Sequence, residues 1–242
     1  MQKLLSLVRA AVEKYNMIED GDKIAVCVSG GKDSMALLLC LANLKRFYPK
    51  QFELCAITLD PYFNGEGADY SEIQKICREY NIEYLIKPTE LYHIIFEVRK
   101  ESNPCSLCAR MRRGLLHDTA KEMGCNKIAL GHHLDDAAET FLMNLFSGGR
   151  AECFSPVSYL SRKDLYMIRP LIFAYESDIE RVVNKENIPI VKSRCPADEK
   201  THREETKEMI KTLEKKYPAL RAKIIGAMQT GNISHWGIDE NC

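Results

Sequence analysis

Short apolar runs alternate with longer amphipathic stretches along the first two thirds of the chain. The run at residues 23–28 (KIAVCV) is rich in β-branched residues, as in a parallel strand that is covered on both faces. Four further strands are predicted at residues 54–59, 83–86, 127–130 and 166–168. Strands that alternate with helices predict an α/β fold with a doubly wound, mainly parallel, Rossmann-like sheet.

Apolar residues at helical spacing predict the helices between these strands, beginning with residues 4–15. The other predicted helices span residues 35–44, 70–80, 91–98, 106–123 and 134–146. The alternation stops near Ile190, and residues 199–228 predict two further helices separated by Pro218. The chain is therefore expected to form one domain at residues 1–195 and a small C-terminal helical extension at residues 196–242.

The composition and charge are those of an ordinary globular protein. Hydrophobic residues make up 45% of the 242 residues, and 34 basic residues balance 34 acidic ones. Balanced charge excludes a protein that coats nucleic acid over its whole surface, but it leaves a local basic face open. Ten cysteines are too few for a disulfide scaffold, so a reducing cytoplasm is expected. Every apolar run is shorter than the roughly 18 residues of a membrane span, so no membrane partner is expected.

A polar, glycine-rich segment, SGGKDS at residues 29–34, follows the first predicted strand. Its glycines allow close backbone approach to an anion, and the first N–H groups of the following helix point outward without partners. Lys32 and the hydroxyls of Ser29 and Ser34 add donors, so the segment predicts a phosphate site. A Walker loop is excluded because Val26 stands where that motif needs a glycine. A strand-to-helix turn capped by Ser29 is the alternative.

A second polar segment, GHHLDDAAET at residues 131–140, opens a helix at the same predicted sheet edge. Asp135 and Asp136 in its first turn complement the helix dipole, which explains them without any ligand. Next to a phosphate site they also fit as ligands of the Mg²⁺ that accompanies a triphosphate. Both interpretations stay open at this point.

Three cysteines lie in polar surroundings. Cys105 and Cys108 are three residues apart on one face of a predicted helix start, where the helix dipole favours thiolate. This C-x-x-C pair alone fits a redox dithiol, half of a zinc site or part of an iron–sulfur site. The sequence has no second pair to complete a four-cysteine zinc site. Cys195, in the polar segment KSRCP, fits an incidental thiol when it is considered alone.

These motifs resemble those of a known family. SGGKDS resembles the PP-loop of ATP pyrophosphatases, which cleave ATP between its α and β phosphates and adenylate a substrate. A more specific similarity is to the tRNA 2-thiocytidine synthetase (TtcA) family, and it rests on longer stretches. These are CVSGGKDS, PCSLCARMRRGLL, KIALGHHLDDAAETFLMNLFSGG and IRPL, with AMQTGNISH resembling the family's tail.

The resemblance implies three sets of site residues. It assigns ATP binding to Val28, Ser29, Gly30, Gly31, Lys32, Asp33, Ser34, Leu59, Asp60, Gly131 and His132. It assigns catalysis to Asp135, Asp136 and Arg112. It makes Cys105, Cys108 and Cys195 the ligands of a 4Fe-4S cluster. Three thiolates leave one iron of the cluster able to hold an exogenous sulfide.

The activity implied by the resemblance is ATP-dependent tRNA thiolation. ATP with Mg²⁺ would adenylate the C2 oxygen of a pyrimidine, expected to be a cytidine of the anticodon loop, and sulfide would replace that oxygen. The implied partners are tRNA and a cysteine desulfurase or another sulfide donor, and a homodimer is compatible with the resemblance. One alternative is a PP-loop enzyme that adenylates a carboxylate for amidation. Another is a non-catalytic nucleotide-binding module with a zinc or redox-sensing site.

Basic residues concentrate toward the C-terminus, where residues 191–225 carry ten Lys and Arg against six Asp and Glu. Lys207, Lys211 and Lys215 form a row at helical spacing, which fits either a solvated face or an RNA contact. Arg112 lies four residues after the second cysteine of the pair and is expected to face the cluster. The segment around Cys195 is expected to lie apart from the nucleotide site.

Overall fold

The computed structural model describes residues 1–99, 104–192, 194–195 and 202–237. Its strands are β1 (Asp22–Cys27), β2 (Phe52–Asp60), β3 (Glu83–Pro88), β4 (Lys127–Ala129), β5 (Val157–Leu160) and β6 (Leu165–Ile168). Its α-helices are α1 (Gln2–Lys14), α2 (Lys32–Leu44), α3 (Ser71–Glu79), α4 (Pro104–Glu122), α5 (Leu134–Gly148), α6 (Glu176–Lys185), α7 (His202–Lys216) and α8 (Leu220–Thr230). A π-helical segment at His93–Arg99 precedes α4 and overlaps the helix predicted at residues 91–98.

The strands form one sheet in the order β3-β2-β1-β4-β6-β5. Neighbouring strands are parallel except for β5, which runs antiparallel to β6 at the edge. In the centre, Ala25 of β1 is in register with Cys55 of β2 and with Ile128 of β4. The predicted doubly wound, mainly parallel sheet is confirmed, and the carboxyl ends of β1, β2 and β4 meet at one edge.

Two elements were not predicted from the sequence. The strand expected at residues 166–168 is the inner half of a hairpin, and its outer strand β5 was missed because it is short and half-exposed, with Tyr159 52% exposed. Helix α6 was missed although Ile179, Val182 and Val183 are buried at helical spacing. Only the second omission affects the site, because α6 begins beside the phosphate-loop segment.

Helices cover both faces of the sheet. On one face, α1, α2, α3 and α6 pack into the main core, and α2 is apolar on most of its surface because other elements surround it. On the opposite face, α4 buries Leu116 and Ala120 against β2 and β4. This layering leaves the carboxyl ends of the strands open between α4 and the starts of α2 and α5.

The C-terminal helices pack onto the body of the protein. Helices α7 and α8 place Ile210 and Ile224 against Ala138 and Leu142 of α5. Farther on, the fully buried Trp236 donates from Nε1 to a backbone carbonyl oxygen at 2.8 Å. The predicted division between residues 195 and 196 falls next to residues outside the described ranges and stays a prediction. Within the described residues, no helix is both long and apolar enough to cross a membrane.

Candidate adenylation and thiol site

The phosphate loop, residues 29–34, makes a turn at residue 30 that requires glycine. Gly30 has a φ of +85°, and a Cβ placed on it would lie 2.7 Å from the Cβ of Val191. The Val191 N–H donates to the Gly30 carbonyl oxygen at 2.9 Å. The expectation that the segment around Cys195 lies apart from the nucleotide site is therefore wrong. That segment packs on the phosphate loop four residues before the cysteine.

Two serine hydroxyls brace the phosphate loop. The Ser34 hydroxyl donates to the Gly31 carbonyl oxygen at 2.9 Å and accepts from the Ser29 N–H at 3.1 Å. The first bond of the helical ladder runs from the Met35 N–H to the Gly31 carbonyl oxygen. The N–H groups of residues 32–34 therefore precede the ladder, as an anion site at a helix N-terminus requires.

Gly131 and His132 approach the phosphate loop from the end of β4. A Cβ on Gly131 would lie 3.2 Å from the Ser34 nitrogen and from the Asp33 carbonyl carbon, so glycine lets the two backbones touch. The His132 ring packs on Phe154 with centroids 4.9 Å apart. Burial lowers the pKa of His132 to about 4, so this imidazole is neutral at physiological pH.

Lys32 is held by a carboxylate that sequence reasoning did not single out. Its Nζ lies 2.9 Å from Glu176 Oε1 and 3.4 Å from Asp33 Oδ2. Lys207 of α7 pairs with the second carboxylate oxygen of Glu176, with its Nζ 2.8 Å from Oε2. Burial alone would raise the pKa of Glu176, but the hydrogen bonds from both lysines lower it to about 2. Glu176 is the first residue of α6, so predicting that helix would have placed it at the sheet edge.

Asp135 joins three helices. Its Oδ2 accepts from the Glu176 N–H at 2.7 Å, and its Oδ1 forms an ion pair with Arg221 Nε at 2.9 Å. The carboxylate is buried between the starts of α5 and α6 and helix α8. Both of its oxygens are occupied by protein groups, which makes Asp135 a positioning residue for α6 and α8.

Asp136 and Asp33 offer a place for a cation. Asp136 forms a capping box with His133, and its Oδ1 pairs with Arg203 Nη1 at 2.9 Å. Asp33 Oδ1 is buried and has no hydrogen-bond partner among the described residues. Burial raises the pKa of Asp33, the charges of His133 and Lys32 oppose that rise, and the charge of Asp136 adds to it. Asp33 Oδ1, which lies 3.9 Å from His133 Nε2 and accepts no hydrogen bond from the described residues, fits together with Asp136 as an oxygen ligand of a divalent cation.

A cavity of about 420 Å³ lies on the other side of the phosphate loop. Its lining includes the predicted residues Ser29, Gly31, Leu59, Asp60, Cys105, Cys108, Arg112 and Cys195. The three cysteines and Arg112 therefore meet the loop and the end of β2 in one place. The other predicted residues are not in this lining. The charged cluster described above contains Lys32, Asp33, Asp135 and Asp136. The rest belong to the phosphate loop itself or to the strand ends next to it: Gly30 and Ser34 in the loop, and Val28, Gly131 and His132 beside it.

The three cysteines are close enough to influence one another. Burial raises the pKa of Cys108, Arg112 lowers it, and the charges of Cys195 and Cys105 raise it again. Arg112 thus faces the thiols as predicted. Among the described residues, no three His, Cys, Asp or Glu side chains converge on a point that could hold one metal ion. A single zinc ion needs its thiolates about 2.3 Å from one point, whereas a cubane spreads them over separate irons.

Three aromatic side chains in contact with one another also line the cavity. Tyr92 meets Phe63 edge-on with centroids 5.4 Å apart and stacks on Phe96 at 5.3 Å. The loop that carries Phe63 is fixed by Asp60, whose two carboxylate oxygens each accept a backbone N–H at 3.0 Å. Phe63, Tyr92 and Phe96 all line the cavity that the three cysteines also line. They give it aromatic faces of the kind on which a nucleobase stacks.

Comparison with known proteins decides the family. The PP-loop domain model matches residues 4–213. A tRNA-cytidine(32) 2-sulfurtransferase of Syntrophotalea carbinolica is 39% identical over 235 residues, which cover 96% of this chain and 89% of the relative. The protein of that name from Geobacter sulfurreducens is 38% identical over 237 residues, covering 96% and 90%. This chain belongs to the tRNA-cytidine(32) 2-sulfurtransferase family of PP-loop proteins.

A solved structure agrees with the fold and with the family. The U34-tRNA thiolase NcsA of Methanococcus maripaludis, determined with its 4Fe-4S cluster, superimposes with a TM-score of 0.78. The two chains are 26% identical, and the match covers 100% of this chain and 80% of that one. The resemblance to TtcA and the PP-loop fold expected from the sequence motifs are both confirmed.

Proposed function

We propose that this protein is an ATP-dependent tRNA sulfurtransferase that replaces the C2 oxygen of a cytidine with sulfur. One observation carries the proposal. The thiols of Cys105, Cys108 and Cys195 share a cavity with Arg112 and with the phosphate loop. An activated base in that cavity would lie beside both its activating nucleotide and its source of sulfur.

ATP binds with its phosphates at the phosphate loop. The N–H groups of residues 32–34 and the Lys32 ammonium contact the β and γ phosphates, and the α phosphate lies toward Ser29 and Gly31 at the cavity. The end of β2, at Leu59 and Asp60, receives the nucleoside. Mg²⁺ would be held by Asp33 and Asp136, whose carboxylates fit such a cation, and it would neutralise phosphate charge.

The first step is adenylation. The C2 oxygen of the cytidine attacks the α phosphorus, a bond forms between them, and the bond from that phosphorus to the bridging oxygen breaks. Pyrophosphate leaves with the bonding electrons. Arg112 lies on the cavity side, where its guanidinium stabilises the charge that develops around the α phosphate. The enzyme contributes position and charge, as transfers at phosphorus require.

The second step is sulfur transfer. Cys105, Cys108 and Cys195 would hold a 4Fe-4S cluster through three of its irons, which supplies sulfide beside the activated carbon when it is bound. Sulfide adds to C2, the bond from C2 to the adenylated oxygen breaks, and AMP leaves with that oxygen. A cysteine desulfurase or another sulfide donor in the cytoplasm replenishes the sulfide.

The cavity favours this function over the two alternatives. An enzyme that adenylates a carboxylate for amidation has no use for three thiols that face the α phosphate, or for an aromatic wall. A non-catalytic module with a zinc or redox-sensing site would not need Lys32 and Asp136 beside the phosphate loop. The wall of Phe63, Tyr92 and Phe96 instead suits a cytosine turned out of an RNA loop.

Nucleoside mass spectrometry of tRNA tests the proposal. Transfer RNA from cells with and without the gene is digested, and its cytidine fraction is compared. We expect 2-thiocytidine only when the protein is present, and we expect it in the anticodon loop. Identical nucleoside profiles in both tRNA samples would contradict the proposed activity.

A further inference from the structure

Helix α7, in the C-terminal region, places the cationic side chains of Lys207 and Arg203 near the phosphate loop. Lys207 Nζ lies 2.8 Å from Glu176, the same carboxylate that holds Lys32. One turn earlier, Arg203 donates to Asp136 Oδ1 at 2.9 Å and to Thr140 Oγ1 at 3.3 Å. Both side chains therefore point from α7 toward the residues that surround the triphosphate end of the nucleotide.

Lys207 differs from its neighbours in the basic row. Its side chain is 25% exposed, whereas that of Lys211 is 51% exposed and pairs with Glu208 of its own helix. Helix α7 is also fixed in place, since Ile210 is fully buried against α5. The row expected to form one solvated or RNA-facing surface is thus divided. Lys207 faces the phosphate loop, and Lys211 faces solvent.

Glu176 occupies the position that an anion would take between two ammonium groups. Its place is set by its own N–H, which donates to Asp135 Oδ2 at 2.7 Å. The carboxylate binds one lysine with each oxygen beside the N-terminus of α2. A phosphate group at the N-terminus of α2 would offer Lys32 and Lys207 more oxygens and more negative charge than the Glu176 carboxylate does.

We propose that Lys207 and Arg203 of α7 bind the β and γ phosphates of ATP and stabilise the departing pyrophosphate, and that Glu176 holds Lys207 and Lys32 while the site is empty. In this arrangement the triphosphate displaces Glu176 from the two lysines. Asp136 would hold Mg²⁺ in place of Arg203, and the Arg203 guanidinium would then be free to turn to phosphate. The C-terminal region thereby becomes part of the nucleotide site. The inference rests on the proposed adenylation of substrate by ATP.

Calorimetric titration with two nucleotides tests this role without tRNA or sulfur chemistry. The full-length protein is titrated with AMP and with α,β-methylene-ATP in the presence of Mg²⁺, as wild type, Lys207→Met and Arg203→Met. Each substitution is expected to weaken α,β-methylene-ATP binding about tenfold or more, because a charge-assisted hydrogen bond to phosphate is lost. Binding of AMP should be unchanged, since AMP lacks the β and γ phosphates.

Three further variants separate phosphate contact from a structural role. Lys216→Met, an exposed lysine in the last turn of the same helix, is the matched control and should bind both nucleotides as wild type does. Lys207→Arg should restore most of the affinity. Glu176→Gln removes the resting partner and should leave α,β-methylene-ATP binding equal or tighter. If Lys207 only anchored α7 through Glu176, this variant would weaken binding as much as Lys207→Met does.

The outcomes distinguish this inference from the proposed function. Wild-type affinity for α,β-methylene-ATP in both Lys207→Met and Arg203→Met would overturn the inference and leave adenylation standing. Failure of the wild-type protein to bind any adenine nucleotide would overturn both. Equal losses of AMP and α,β-methylene-ATP binding would also contradict it, because the cations would then act on the whole site rather than on the terminal phosphates.

Discussion

The two sides of the phosphate loop are built from opposite kinds of side chain. On one side, Lys32 and Lys207 pair with Glu176 and Asp33, so two cations meet two carboxylates without a ligand. On the other side, cysteines and aromatic rings line a cavity whose lining also holds an exposed ion pair between Arg194 and Glu66. The paired side is suited to exchange partners when a triphosphate arrives. The open side is suited to take in groups that the chain does not itself supply.

This difference separates two chemical tasks that one reaction needs. Cleavage of ATP needs cations and a helix N-terminus near the pyrophosphate, and these lie on the charged side. Sulfur transfer needs cysteine ligands and room for a base, and these lie on the cavity side. In the proposed reaction the loop between the two sides holds the α phosphate, which both tasks share. Substitutions on the two sides should therefore fail in different ways.

The largest effect is expected from Lys32→Ala on the charged side. Loss of the ammonium that faces the pyrophosphate should slow ATP cleavage about 10³-fold, at the upper end for one preorganised donor. The melting temperature should change little, because the Lys32 side chain packs no core. Pyrophosphate release in a single turnover measures the effect. Lys50→Ala is the control, since Lys50 pairs with Glu19 away from the loop, and wild-type turnover in Lys32→Ala would disprove the assigned role.

Arg112→Ala should be the next largest effect and should appear on the cavity side. Removing a cation that stabilises developing charge is expected to slow thiolation about 10²-fold. Binding of tRNA should fall much less, because one cation adds little to a phosphate footprint. Arg110→Ala, an exposed arginine of the same helix outside the cavity lining, is the matched control. A variant that changes only tRNA affinity would remove Arg112 from the chemistry.

A smaller effect is expected from the aromatic wall. Replacing Tyr92 with Leu removes the ring that contacts both Phe63 and Phe96. Stacking of one base on an aromatic ring contributes about 1–3 kcal/mol, so the KM for tRNA should rise about tenfold while ATP binding is kept. Tyr92→Phe keeps the ring and should behave as wild type. An unchanged KM in Tyr92→Leu would exclude this wall as the base site.

The smallest effect is expected from the solvent-facing lysines of α7. Lys211→Ala with Lys215→Ala should weaken tRNA binding and leave the rate of thiolation on bound tRNA unchanged. Each lost phosphate contact should reduce the slope of log affinity against log salt by about 0.7 to 0.9. Filter binding at several salt concentrations measures the slope. A slope equal to that of wild type would assign both lysines to a solvated face.

The sequence predicted the cavity side better than the charged side. The cysteine pair, Arg112 and the glycine turn are local patterns whose spacing survives in a single sequence, and the structure brings them together as expected. Glu176 was not predicted as a site residue because its helix, α6, was missed; the helix has ten residues and carries no recognisable motif. Lys207 was placed on helix α7, but helical spacing alone does not reveal which side of that helix packs against α5. Such partners depend on tertiary packing between distant segments.

The packing of Val191 on the phosphate loop could also not be predicted from the sequence. Only the folded chain shows that Val191 hydrogen-bonds to Gly30 and limits that position to glycine. The sequence predicts both serine hydroxyls as donors to phosphate, which stays a prediction. In the structure, Ser29 Oγ donates to Ser34 Oγ at 3.2 Å and Ser34 Oγ donates to the Gly31 carbonyl oxygen at 2.9 Å. Residue type predicted the chemistry available at this turn, and packing decided how each group is used.

The separation of the two tasks is tested most directly by comparing Cys195→Ala with Lys32→Ala in one anaerobic single turnover. Iron content, pyrophosphate and 2-thiocytidine are measured in the same samples, with Cys242→Ala, a residue outside the described ranges to which the family resemblance assigns no role, as the control. Cys195→Ala should lose its iron and form no 2-thiocytidine, yet release pyrophosphate, because two thiolates are too few to retain a cubane. Lys32→Ala should keep its iron and form neither product. Full iron and normal 2-thiocytidine in Cys195→Ala would contradict the account.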